Sequence, residues 1–150
     1  MITIRVVIAD DDDDVRDALV EVVGADPRLV VVGTARSGDE AVAVCAATRP
    51  DVVLLDVRMP GGGPEAARRL TGPRPAPAVL AISAQTGSAS VVAMLRAGAV
   101  GYLTKGRLTD LTDLVTRVAE GHVVLAVPGA ADALRQLLSD VRDQDRTDVP

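Results

Sequence analysis

The chain has 150 residues, of which 48% are hydrophobic, with a formal net charge of −5 and a single cysteine, Cys45. That apolar content suits one domain burying about two-thirds of its unfolded surface, with no need of a disulfide scaffold. The acidic balance excludes a nucleic-acid surface within these residues, because phosphate binding needs clustered Lys and Arg, and no apolar run approaches the ~18 residues of a membrane span.

Ile2 to Ala9 is apolar and β-branched and predicts a strand, starting too early to leave room for a signal peptide. Asp13 to Val23 places Val15, Leu19, Val22 and Val23 at helical spacing, with Arg16, Asp17 and Glu21 away from that face, and Gly24 ends the helix. Leu29 to Thr34 is the next strand, and Ser37 caps a helix from Gly38 to Thr48. Cys45 lies in that helical pattern as a small buried hydrophobe, which fits a reducing, cytoplasmic location. Beyond Pro50, the run Val52 to Asp56 reads as a strand buried on both faces, closed by Pro60 and the glycines Gly61 to Gly63. A third helix follows at Glu65 to Leu70. Pro73 to Pro77 leads to strand Ala78 to Ser83, helix Ser88 to Ala97, strand Val100 to Leu103 and helix Leu108 to Glu120.

Strands alternating with helices of this length predict an α/β domain, a doubly wound five-stranded parallel sheet. With one aromatic residue, Tyr102, the core must be built from Val, Leu, Ile and Ala. After Gly121 the pattern changes. Val123 to Val127 is apolar, Pro128 and Gly129 break it, and Ala130 to Val141 carries Ala133, Leu134, Leu137, Leu138 and Val141 on one helical stripe. Arg142 to Pro150 is polar and expected to fray.

Strand ends carry the chemistry, since ligands in open parallel sheets bind at the carboxyl edge. That rim collects Asp10, Asp11, Asp56, Ser83 and Lys105. Carboxylates at ~4 Å repel by about 4 kcal/mol per pair at an effective dielectric near 20, so a divalent cation is the natural counter-charge. Oxygen-only ligation selects a hard ion, Mg²⁺. Asp56 is left as a nucleophile towards phosphorus, with Lys105 and the metal neutralising phosphoryl oxygens and the Ser83 hydroxyl donating to one of them.

Each signal also has a plainer reading. The run Asp10 to Asp14 alone is a helix N-terminal charge cluster, a reading that its place directly after a buried strand reverses. Tyr102 alone is a packing residue, His122 an exposed loop residue, and Gly61 to Gly63 a flexible loop without a Walker lysine. A haloacid-dehalogenase-type phosphatase would need Asp-x-Asp, and the second position is Arg58. A nucleotide-binding enzyme would need glycines where the first strand is followed by aspartates.

Ala9-Asp10-Asp11, Leu55 to Pro60, Ser83-Ala84 and Gly98 to Lys105 resemble bacterial two-component response-regulator receiver domains, over residues 2 to about 122. Within that family the chain is most similar to the NarL/FixJ (LuxR-type) class. The resemblance implies a CheY-like fold of strand order 2-1-3-4-5 with an additional C-terminal helix, residues 1–122 forming the receiver and 123–150 a linker helix and polar tail. It implies phosphorylation of Asp56 by a sensor histidine kinase, and Mg²⁺ held by Asp11, Asp56 and the backbone carbonyl of Arg58, with Asp10 acting through water. Lys105 matches the family's lysine, Ser83 its switch hydroxyl and Tyr102 its switch aromatic. Phosphorylation would draw Ser83 inward, turn Tyr102 and alter the face built by the fourth helix, fifth strand and fifth helix. Thr86 to Ala97 carries one charge, Arg96, which leaves that face available for packing.

The chain departs from the family pattern in three places: a loop after Pro60 that is one residue shorter, Asp12 and Asp13 where His-Pro is common, and Gly106 after the lysine. The reading is a signalling switch rather than an enzyme, catalysing only its own phosphotransfer and dephosphorylation. Its implied partners are the kinase, a second copy on phosphorylation, and DNA only through an output domain outside these residues. The alternative is a stand-alone regulator acting through protein partners.

Overall fold

In the computed structural model, which describes residues 3–84, 87–106 and 108–147, the predicted alternation is realised as a parallel sheet with helices on both faces. The elements are β1 (Ile4–Ala9), α1 (Asp13–Gly24), β2 (Leu29–Ala35), α2 (Gly38–Thr48), β3 (Val52–Asp56), α3 (Gly63–Thr71), β4 (Ala78–Ser83), α4 (Ser88–Arg96) and β5 (Gly101–Thr104). A 3₁₀ turn at Leu108–Asp110 leads into α5 (Leu111–Ala119), followed by β6 (Val124–Ala126) and α6 (Ala130–Thr147). The sheet order is β2-β1-β3-β4-β5-β6 and every neighbouring pair is parallel. The expected order 2-1-3-4-5 is present, and β6 extends it by pairing Gly101 with Val124 and Leu103 with Ala126. A strand of three residues is too short to display a period of two, so it reads in the sequence only as an apolar run.

The strands alternate between two cores. Val6, Ile8, Val52, Leu54, Leu80, Ile82 and Leu103 face Leu19 and Val23 of α1 and Leu111, Val115 and Val118 of α5. Val7, Ala9, Val53, Leu55, Val79, Ala81 and Tyr102 face the other way, against α2, α3, α4 and Ala133 of α6. Both faces of the central strands are covered, which is why β3 is a continuous apolar run. Each fully buried Val, Leu or Ile contributes about 1.5–3 kcal/mol, and aliphatics with Tyr102 build the interior, as the composition requires.

Several boundaries shift. Ile2 and Thr86 lie outside the described residues. Arg16, expected on the outer side of its helix, is 7% exposed. α3 begins at Gly63, and α6 runs on through Arg142 to Thr147 where a frayed tail was expected. No Gly or Pro interrupts that stretch and it carries charges of both signs, so the helix has nothing to stop it. The fourth helix is covered in part, because α6 lies against it. Ala133 and Leu137 join the core that contains Val91, Met94 and Tyr102, and Arg96 forms an ion pair with Asp140. No described helix is long and apolar enough to cross a membrane.

Candidate functional site

Parallel pairing places the ends of β1, β3, β4 and β5 on one rim, since Ala9 pairs with Leu55, Asp56 with Ile82 and Ser83 with Thr104. The residue after each of β1 and β5 therefore arrives at the same edge as Asp56. Asp10 is fully buried, and Asp56 and Ser83 are nearly so. Asp11, Asp12, Asp56, Arg58, Ser83, Ala84 and Lys105 line the cleft above them. Every residue singled out on the rim is brought together there, whereas Tyr102 lies beneath, fully buried in the core.

Lys105 bridges the two buried carboxylates, with its Nζ 2.9 Å from Asp10 Oδ2 and 3.4 Å from Asp56 Oδ1. The other oxygen of Asp10 accepts the backbone N–H of Asp12 at 2.9 Å, and Asp56 Oδ1 accepts that of Arg58 at 3.3 Å. Asp10 Oδ2 has the ammonium as a charge partner but no aligned hydrogen-bond donor among the described residues. Asp10, Asp11 and Asp56 each offer an oxygen within 4.8 Å of the others, an arrangement that could hold a metal ion. At that spacing each carboxylate pair repels by about 3 kcal/mol at an effective dielectric near 20, and one ammonium cannot offset three such charges. A donor set made only of oxygen fits a hard cation. Arg58 sits at the cleft with its N–H committed to Asp56.

The electrostatics show in the proton affinities. Burial, reinforced by the charge of Asp10 and opposed by Lys105 and the Arg58 N–H, pushes Asp56 up to about 6. For Lys105, burial alone would lower the value, but its close contact with Asp10 and the charges of Asp56 and Asp10 raise it above the ordinary lysine range. Asp56 without metal therefore destabilises the fold when ionised. Its folded pKa exceeds its unfolded one, so between about pH 4 and 6 the native state binds more protons and stability falls as pH rises. We expect the advantage of Asp56→Asn over wild type, in chelator, to grow by about 2 kcal/mol from pH 4 to 7. Urea midpoints across that range measure it, and a pH-independent difference would remove Asp56 as the burdened carboxylate.

The run of aspartates divides its labour. Asp12 is the N-cap of α1, accepting from the backbone N–H of Asp14 and Val15. Asp13 is held below the usual carboxylate range, chiefly by its hydrogen bond from Arg16 and also by Arg36. Arg16 in turn donates 3.0 Å to the backbone carbonyl of Asp10, bracing the loop that carries the rim carboxylates. The helical pattern did not reveal this residue. A lone cation one turn beyond an acidic run was the available signal, with its alkyl stem buried and its guanidinium on the backbone. Cys45 and His122 lie away from the rim: the thiol is buried and pushed up to about 12, and the imidazole is exposed.

Residues 6–119 match the response regulator receiver domain family. The chain is similar to the DNA-binding transcriptional activator DevR/DosR of Mycobacterium tuberculosis (strain ATCC 25618 / H37Rv), 37% identical over 96% of this chain and 71% of that protein. It is also similar to the response regulator GacA of Pseudomonas viridiflava, 39% identical over 79% of this chain and 56% of the relative. Among solved structures, a LuxR-family two-component response regulator from Aurantimonas sp. SI85-9A1 superposes with a TM-score of 0.81 at 29% identity, covering 91% of this chain and 99% of that one. The signal receiver domain of the putative response regulator NarL from Mycobacterium tuberculosis gives 0.78 at 35% identity, over 81% and 100%.

Proposed function

Since this chain belongs to the response regulator receiver domain family, we propose that it is a phosphorylation-controlled switch that takes a phosphoryl group from a sensor histidine kinase onto Asp56. One observation carries the reading: a buried strand-end carboxylate lies 3.4 Å from the Lys105 ammonium, beside the carboxylates of Asp10 and Asp11. In the proposed step an Asp56 oxygen attacks phosphorus, the phosphorus–nitrogen bond of phosphohistidine breaks, and the imidazole leaves with a proton, giving an acyl phosphate. Lys105 neutralises an equatorial oxygen and Ser83 donates to another. Mg²⁺ would be held by Asp11, Asp56 and the Arg58 carbonyl, with Asp10 through water, and would supply charge neutralisation on the phosphoryl oxygens. Incubation with Mg²⁺ and a small phosphodonor, read by intact mass, tests the assignment: one phosphate is expected, and none would overturn it.

Mg²⁺ should also raise the melting temperature, because its ligands are assembled only in the folded chain. At a hundredfold excess over the dissociation constant the gain is about 2.7 kcal/mol, some 5–10 °C for a domain of this size. The shift should vanish in Asp11→Asn; a full shift in that variant would place the ion elsewhere. Lys105→Ala and Ser83→Ala are expected to accept phosphate at reduced rate yet lose the change in oligomeric state that follows it. Unaltered phosphorylation-dependent assembly in both would argue that neither residue transmits the signal.

The state is read out through Tyr102, Ser83 and the side of the fold that carries α4, β5 and α5, where β6 borders β5 and α6 rests on α4, by population shift. We divide the chain into a receiver, residues 1–122, and a linker, residues 123–150, which contains β6 and α6. The chain spans a little over half of GacA, and its net charge of −5 disfavours binding to a phosphate backbone. A LuxR-type DNA-binding output beyond these residues therefore accounts for any transcriptional role, with a cytoplasmic location and phosphorylation-dependent homodimerisation following from the same reading. It is a signalling rather than a catalytic protein.

A further inference from the structure

α6 has two apolar stripes. Ala133 and Leu137 face α4, and Asp140 on the same side pairs with Arg96. The second stripe, Ala131, Leu134, Leu138 and Val141, is spaced by three, four and three residues, the interval of a coiled-coil seam. Its large members are exposed by 45%, 61% and 54%, and only Val30 and Val123 join them as exposed large hydrophobics among the described residues. A stripe so concentrated and regular is not scattered surface apolarity.

We propose that this stripe pairs in parallel with the same stripe of a second copy of the chain, an inference that rests on the homodimer reading above and names its interface. The charges point to self-pairing. α6 carries Asp132, Asp140, Asp143 and Asp145 against Arg135, Arg142 and Arg146, so it offers no field of one sign for an acidic membrane or a nucleic acid. Orientation follows from the flanks. Arg135 and Arg142 border one edge of the seam and Leu137 and Gln144 the other, so a parallel pair sets Arg142 against a neutral edge. The antiparallel pair over the same seam would set Leu134 against Leu138 and bring Arg135 beside its own counterpart, at a cost of repulsion beside the seam. Asp145 occupies the next seam position and closes it, facing its counterpart only in the exposed last turn. The seam covers less than two heptads, so the dimer is weak and concentration-dependent. Because α6 is seated on α4, a displacement of α4 re-aims the stripe, which couples pairing to the state of the rim.

Sedimentation of the whole chain over a concentration series, with Mg²⁺ and with or without a small phosphodonor, reads the pairing. Leu134→Lys combined with Leu138→Lys should weaken the dimer at least tenfold and leave the melting temperature unchanged, since both side chains are exposed. Val141→Cys should form a disulfide with itself under mild oxidation, Cys45 being buried and out of reach. A wild-type-strength dimer in the lysine variant would overturn this interface while leaving the homodimer reading intact. A chain monomeric in every condition would overturn both. A mixed disulfide between Ala131→Cys and Val141→Cys chains, in excess of the self-linked species, would overturn the parallel orientation, since those positions meet only in an antiparallel pair.

Discussion

Asp56→Asn protein is expected to acquire no phosphate from a small phosphodonor under conditions that modify the wild type fully, a rate loss of at least about a thousandfold. An amide nitrogen and carbonyl cannot supply the anionic oxygen that attacks phosphorus, yet the side chain keeps its shape, so the 4%-exposed site stays filled and the strand end undisturbed. The substitution also relieves the repulsion with Asp10, so a folding defect cannot be the cause of the loss. The neighbouring acids are poor substitutes. Asp10 is fully buried with one oxygen on the Asp12 N–H and the other against Lys105, and Asp11 is exposed and forms no ion pair with that lysine among the described residues. Intact mass followed by peptide mapping gives the answer. A full-yield adduct on the variant would transfer the acceptor role to another carboxylate.

Much of the rim was legible because it rests on two simple regularities. An apolar run that ends abruptly on a charge marks a buried strand's terminus, and parallel strands joined by helices place all such termini on one edge. Asp10, Asp56, Ser83 and Lys105 were found this way. What stayed hidden depends on competition between neighbours that a period cannot resolve. The stripe Ala133, Leu134, Leu137, Leu138 and Val141 reads as a single apolar face, but contact with α4 divides it, taking Ala133 and Leu137 inward and leaving the other three outside. Likewise Asp12 and Asp13 read only as part of one run of charge from Asp10 to Asp14. The cap of α1 and the guanidinium of Arg16 engage them both, although Asp12 still lines the cleft. β6 has too few residues for alternation to count. Arg16 was misplaced because a helical pattern scores its charge and ignores its stem.

The loop after Pro60 shows the same limit and supplies the second large effect. Its three glycines suggested flexibility, yet three backbone bonds hold it: Gly38 donates to Pro60, Gly62 to Met59 and Gly63 to Val57 at 2.8–3.0 Å. Gly61 and Gly62 adopt positive φ, the conformation glycine tolerates best. Gly63 does not, and its role is space. A Cβ there would stand 2.7 Å from both Cα and the carbonyl oxygen of Val57 and 2.9 Å from the carbonyl oxygen of Asp56, all backbone atoms that cannot rotate aside. Gly63→Ala must therefore drive α3 away from the end of β3, displacing the residue next to the proposed phosphoacceptor. We expect a loss of about 3 kcal/mol, at the upper end for overpacking, and a melting temperature lower by roughly 10 °C. Phosphate uptake should fall as well, since Arg58 and Asp56 would lose their register. Gly24→Ala serves as the control: nothing lies within 4 Å of its Cβ and it ends α1, so it should be neutral or stabilising by up to about 1 kcal/mol. Equal melting temperatures for the two variants would mean that the loop yields, and that the close approach at Gly63 does not hold the strand end in place.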